Sequence, residues 1–296
     1  MRLETLRTND GRQLCYAQWG DPAGFPVFSL HGTPGCRLNR YPDDVALADI
    51  GARLITYDRP GYGRSDRNPG RRVVDCVGDV AAIAEVLGVE RFAVTGGSGG
   101  GPHALAVAAR LPDRVTIARC EVGVAPVDAD GLDWSAGMDA ENVKEFGWSL
   151  AGEATLHDEL DRTAASMVAN VVVDPTKVLG DEWQLSEADR AVMRNPIVMQ
   201  VMREAIPECV INGTWGWVDD DLAFVTEWGF DLDEIRVPVE VHYGTQDVLV
   251  PAAHGVWLAA HVPGAKVVVN DDQGHMNTPE HGLELLRTLV YDSTHT

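Results

Sequence analysis

Two hydrophobic periods take turns along the first third of the chain. Short runs with strand spacing, Leu3–Thr8 and Gln13–Trp19, flank the turn Asn9-Asp10-Gly11 and predict a hairpin. Asp21-Pro22-Ala23-Gly24 is a second turn. The apolar strand Pro26–Leu30 then runs into His31-Gly32-Thr33-Pro34-Gly35. Helical spacing over Asp43–Ile50 precedes a strand at Ala52–Tyr57 and the loop Asp58-Arg59-Pro60-Gly61-Tyr62-Gly63-Arg64-Ser65. Apolar residues three and four apart predict a helix over Val73–Leu87. Strand Phe92–Thr95 enters Gly96-Gly97-Ser98-Gly99-Gly100, and a helix follows over Pro102–Arg110. Val115–Val124 reads as the next strand.

The rhythm then breaks. From Val127 to about Ile235 the pattern is helical and rich in tryptophan: Trp134, Trp148, Trp183, Trp215, Trp217 and Trp228. Ser186-Glu187-Ala188-Asp189 has the form of a helix start, and Asn195-Pro196 separates two helices. So many apolar residues cannot stay solvated in a linker, so the segment is an insertion. Alternation resumes with strand Val237–Tyr243, helix Ala252–His261, strand Lys266–Val269 and a last helix opening at Thr278-Pro279, cap and first-turn residue. The pattern predicts an α/β fold with a mostly parallel central sheet flanked by helices. Residues 1–126 and 236–296 form its core, with 127–235 inserted. Ligands of such sheets lie at the carboxyl ends of the strands, where both glycine-rich loops fall.

Composition narrows the picture modestly. The chain has 296 residues, 45% of them hydrophobic, ample for a packed core. A net charge of −21 disfavours nucleic acid and anionic membrane as partners. Lysine is confined to Lys144, Lys177 and Lys266, a compositional bias. Met1-Arg2-Leu3-Glu4-Thr5-Leu6 lacks the apolar stretch of a signal peptide, and no run approaches the ~20 residues that span a bilayer, which predicts a soluble, cytoplasmic protein. Five scattered cysteines, Cys15, Cys36, Cys76, Cys120 and Cys209, predict reduced thiols. No metal-ligand spacing is present, and neither metal nor cofactor is expected. The expected partner is a small-molecule substrate, and a homodimer stays open.

The chemistry is carried by Gly-x-Ser-x-Gly at Ser98. A serine on a tight strand-to-helix turn is thrust into a cleft, and the flanking glycines leave room for the neighbouring strand and helix. No lysine follows, so this is not a phosphate-binding loop. Ser98 needs a base, and His275 follows the last strand on the loop Asp271-Asp272-Gln273-Gly274. With the loops His31–Gly35 and Asp58–Ser65, the strand end Gly244-Thr245-Gln246-Asp247 and Gly274-His275, all in one order, the chain resembles the α/β-hydrolase superfamily nearly end to end. The resemblance implies an α/β-hydrolase fold whose insertion is a helical cap. It implies Asp247 as the acid orienting His275, with Asp128 as the alternative, and an oxyanion hole from the backbone N–H groups of Thr33 and Gly99.

Of the insertion's tryptophans, Trp215 and Trp217, in a glycine-rich turn, are the candidates for the substrate pocket. An aromatic pocket points to an apolar ester. The Asp58–Ser65 loop reads as structural and Cys36 as a buried, inert thiol. Within the superfamily the loops are similar to the proline iminopeptidase-like branch and to small-molecule esterases. Thr33 stands where the iminopeptidase pattern has glycine and Gly99 where it has tryptophan, and both departures weigh against peptidase activity. Such peptidases hold the substrate's amine with cap carboxylates, for which Glu141, Glu145, Glu153 and Glu204 are the candidates here. Serine at the elbow weighs against epoxide hydrolases and haloalkane dehalogenases, which use aspartate. Non-hydrolytic and ligand-binding members of the fold are the alternative of a different class.

Overall fold

The computed structural model describes residues 2–295. Eight strands form one sheet: β1 (Arg2–Arg7), β2 (Gln13–Gly20), β3 (Phe25–Leu30), β4 (Ala52–Tyr57), β5 (Phe92–Gly97), β6 (Val115–Glu121), β7 (Val239–Gly244) and β8 (Lys266–Asn270). Their spatial order is β1-β2-β4-β3-β5-β6-β7-β8. The opening hairpin joins antiparallel through β2 to β4, and every later pair is parallel. This is the mostly parallel, helix-flanked sheet expected from the alternation, in the order that the resemblance implies.

Period-two side chains explain why helices cover both faces. In β5, Phe92 and Val94 join a large apolar cluster with Val80 and Ile83 of α2 (Cys76–Val86), Leu105 of α3 (Gly100–Arg110) and Leu258 of α9 (Ala252–His261). Ala93, between them, faces a second cluster with Leu47 of α1 (Asp44–Asp49) and Leu289 and Val290 of α10 (Pro279–His295). Val27 of β3 and Leu54 of β4 belong to the second cluster, and their neighbours Phe28 and Ile55 to the first.

Between β6 and β7 lie α4 (Ala140–Ala151), α5 (Glu153–Val173), α6 (Glu187–Met193), α7 (Pro196–Cys209) and α8 (Trp215–Phe224). The Ser186 hydroxyl caps α6 by accepting the Asp189 N–H, and Asn195 caps α7 with Pro196 at its first turn. Leu156, Leu160, Ala164, Met167 and Val171, three or four apart on α5, form a stripe packed with Met193, Ala205 and Val218. Among the described residues, no helix is long and apolar enough to cross a membrane.

Candidate active site

The parallel register brings the strand ends to one level: Gly97 of β5 pairs with Glu121 of β6, and Glu121 with His242 of β7. Ser98 follows directly and takes φ +54°, left-handed backbone that is strained for a non-glycine residue. Val122, just past the neighbouring strand, also has positive φ, at +46°. The Ser98 N–H is held by the Glu121 carbonyl at 2.9 Å. Gly96 and Gly100 are dictated by contact, since a Cβ on either would run into the carbonyl of Gly100 or of Leu30.

A cavity of about 550 Å³ opens above these ends, lined by Ser98, Gly99, Thr33, His275, Trp217 and Phe224 among others. Asp247, fully buried at the side chain, accepts a hydrogen bond from His275 Nδ1 at 2.7 Å with its Oδ2. Its Oδ1 accepts the N–H groups of Leu249 and Val250 at 2.8 and 2.9 Å, which fixes the carboxylate. With the proton on Nδ1, Nε2 is the acceptor. Burial by itself would lower the His275 pKa, but the carboxylates of Asp247 and Asp189 outweigh it and raise the group above its usual 6.5. Asp128 is exposed and takes no part.

The Thr33 loop packs against the elbow. A Cβ on Gly32 would stand 3.4 Å from Ser98 Cβ and 3.9 Å from its Oγ. One on Gly99 would stand 2.9 Å from both Thr33 Cβ and Phe224 Cζ, and closer still to Thr33 Oγ1. The two departures from the iminopeptidase pattern are therefore one feature: the Thr33 side chain occupies the space that a side chain at position 99 would need. The Thr33 hydroxyl donates to Asp220 Oδ2 at 2.6 Å, so it serves the loop's support.

Asp220, fully buried on α8, is the hub of that support. Arg59 Nη2, Arg71 Nη1 and the Tyr62 hydroxyl reach it at 2.5, 2.6 and 2.9 Å. Burial would raise this carboxyl, yet Arg59 and Arg71 hold it well below the usual range. Arg59 also donates to the carbonyls of His31 and Gly32. His31 works locally: its Nε2 accepts the Arg59 N–H, so Nδ1 carries the proton to the Gly32 carbonyl. Burial and Arg59 push its pKa well down, keeping it neutral. Asp58 ties loops, accepting from Arg37 and from the Arg64 N–H. Cys36 is buried, its thiol pushed up to about 12 by burial, and no base activates it.

The two tryptophans part company. Trp217 lines the cavity, whereas Trp215 stacks on His157 with the Arg67 guanidinium over its ring, at 3.8 Å in each case, and is not part of the lining. Both begin helix α8 rather than sitting in a turn, and the helical period points them apart. Trp183 also lines the cavity. Of the four glutamates, only Glu145 does so. Glu141 pairs with Lys144, Glu153 with Arg67, and Glu204 accepts from Gln200. Glu145 accepts the Trp217 indole N–H at 2.8 Å and shares a side-chain hydrogen bond with Asp221 of α8. Burial pushes Glu145 up to about 7; burial and the charge of Glu145 push Asp221 well up. Asp220 and Asp221 were not expected from the sequence. Their signal was there in Asp219-Asp220-Asp221, three carboxylates within an otherwise apolar helix, all buried.

The model of the alpha/beta hydrolase fold matches residues 26–140. The chain is 30% identical over 255 residues to the non-heme chloroperoxidase of Streptomyces lividans, covering 85% of this chain and 84% of that protein. It is 35% identical over 295 residues to the proline iminopeptidase of Xylella fastidiosa, strain Temecula1, covering 91% and 89%. The thermophilic esterase of Thermogutta terrifontis superimposes with a TM-score of 0.70 at 21% identity, over 100% of both chains. Relatives so similar over most of their length, and a sheet of the same architecture, mean that this chain belongs to the α/β-hydrolase family and is a hydrolase.

Proposed function

We propose that the chain is a serine hydrolase that cleaves a small, apolar carboxylic ester through an acyl-enzyme. The observation that carries this reading is the 2.7 Å hydrogen bond from His275 Nδ1 to buried Asp247, with His275 and strained Ser98 lining one cavity. In this reading His275 Nε2 takes the Ser98 proton as Oγ attacks the ester carbonyl, and Asp247 stabilises the imidazolium. The backbone N–H groups of Thr33 and Gly99 receive the oxyanion, with the N-terminus of α3 behind them. His275 returns the proton to the leaving alkoxide, and water repeats the sequence on the acyl-enzyme. Helices α4–α8 act as a cap that sheds water from the cleft. Apolar walls from Phe146, Phe224, Trp217 and Leu249 suit an apolar acyl or alcohol group. The esterase activity named for the Thermogutta protein agrees with this choice.

The test is fluorophosphonate labelling with p-nitrophenyl acetate turnover. Wild-type enzyme is expected to label and to show a burst. Ser98→Ala is expected to do neither, with kcat lower by about 10⁴-fold and the fold intact. Hydrolysis by the variant near the wild-type rate overturns the assignment.

A second reading is favoured by one observation. Glu145 and Asp221 place a buried acid pair in the cavity wall, a setting that suits a substrate ammonium. With the iminopeptidase among the relatives, it supports an N-terminal aminoacyl substrate. Parallel assays on aminoacyl arylamides decide between the two readings.

A further inference from the structure

Asp189 is a cap-borne carboxylate beside the catalytic loop that the mechanism above does not use. It sits in the first turn of α6 and is fully buried. Its Oδ1 accepts the backbone N–H of Met276 at 2.7 Å, and its Oδ2 accepts the Ser186 hydroxyl at 2.8 Å. The Ser186 Oγ in turn accepts the Asp189 N–H at 3.1 Å, so the helix cap locks the carboxylate's direction. On the other side of His275, a Cβ on Gly274 would stand 2.5 Å from both Asp189 Cγ and Ser186 Oγ. Gly274 is glycine because the carboxylate lies against its backbone. Asp189 thus touches both chain neighbours of the histidine.

Among the described residues no basic side chain pairs with Asp189; its two hydrogen bonds come from a backbone N–H and a hydroxyl. A carboxylate buried without a counter-ion is costly. The cation on which its charge acts is the imidazolium of His275, which exists while Ser98 attacks and the leaving group departs. The groups whose charge acts on His275 are Asp247, beyond β7, and Asp189, on α6. Glu121 lies close by but is engaged with Thr95 and Asn277.

We propose that Asp189 is a positioning residue for His275, clamping the two residues that flank it and supplying, from the cap, a second carboxylate to the imidazolium formed during acyl transfer. The inference rests on the triad reading above. It makes the seating of α6 a condition of the histidine's competence, so the cap contributes to the chemical step as well as to binding.

The experiment compares wild type, Asp189→Asn and Asp189→Ala for p-nitrophenyl acetate hydrolysis from about pH 5 to 9, across the histidine range, with Tm and the fluorophosphonate labelling rate of each. Asparagine keeps an oxygen for the Met276 N–H and removes the charge. The acid limb of its kcat/KM profile is expected at lower pH than in wild type, with KM little changed. Alanine releases the loop, and kcat is expected to fall by about 10²-fold, the loss that follows a ~1 Å misplacement. An Asp189→Asn limb superimposable on that of wild type, or an alanine loss confined to KM, overturns the proposal. If alanine does not fold, the asparagine limb decides. Wild-type enzyme that neither labels nor turns over overturns the triad reading instead, which keeps the two failures distinct.

Discussion

Gly99→Ala tests the geometry of the proposed oxyanion site most directly. The added methyl would stand 2.9 Å from Thr33 Cβ and Phe224 Cζ and inside the contact distance of Thr33 Oγ1. Thr33 cannot rotate away freely, because its hydroxyl donates to Asp220 at 2.6 Å and accepts from Arg59 Nη2 at 3.1 Å. Breaking the bond to the charged carboxylate costs about 1.5–3 kcal/mol. Moving the whole Thr33 loop back by ~1 Å instead displaces one of the proposed oxyanion donors, and a misplacement of that size costs about 10²-fold in rate. A 10²-fold loss of rate corresponds to about 2.7 kcal/mol in the activation barrier. We therefore expect kcat/KM for p-nitrophenyl butyrate to fall by about 10²-fold and stability by about 1–3 kcal/mol, the overpacking range. The double variant Gly99→Ala/Thr33→Gly removes the two contacts with Thr33 and leaves the methyl facing only Phe224. It should recover at least tenfold over Gly99→Ala, a coupling of about 1.4 kcal/mol. Steady-state kinetics and thermal melts on the four proteins of the cycle measure it. Full activity of Gly99→Ala, or strictly additive losses in the double variant, would refute the claim that Thr33 and Gly99 share one space.

Other expectations follow from the same geometry. Because Asp247 and Asp189 hold the His275 pKa above 6.5, kcat/KM for an ester should rise with pH through a midpoint above that value, and be lost as pH falls through it. A flat profile under chemistry-limited conditions would count against a histidine base. Esters should be cleaved faster than proline or alanine arylamides after allowance for their greater intrinsic reactivity, since an amine leaves less readily; kcat/KM on both series decides this. If arylamides match or exceed the esters, Glu145→Gln and Asp221→Asn should each raise KM for the arylamides while sparing the esters.

Much of this protein was legible along the chain because its determinants are local. Period-two runs joined by helical spacing specify a parallel sheet, and glycine on both sides of Ser98 announces a turn that no side chain could share. The likeness of Gly244-Thr245-Gln246-Asp247 and of Gly274-His275 to the family's loops pointed to Asp247, with Asp128 as the alternative, and to His275 among nine histidines. What pattern alone left open was decided by packing between distant segments. Trp215 and Trp217 look equivalent in sequence, yet one helix turn places Trp217 in the cavity and stacks Trp215 on His157. Glu145 was one acidic residue among many until α4 met α8 and set it beside Asp221. Asp189 read only as part of a helix cap; its approach to Gly274 and Met276, across 85 residues and more, exists only once the insertion folds back over the strand ends. Local sequence governs backbone conformation, because that depends on neighbours in the chain. The meaning of a buried carboxylate depends on which N–H groups and charges surround it, and the tertiary structure alone supplies those.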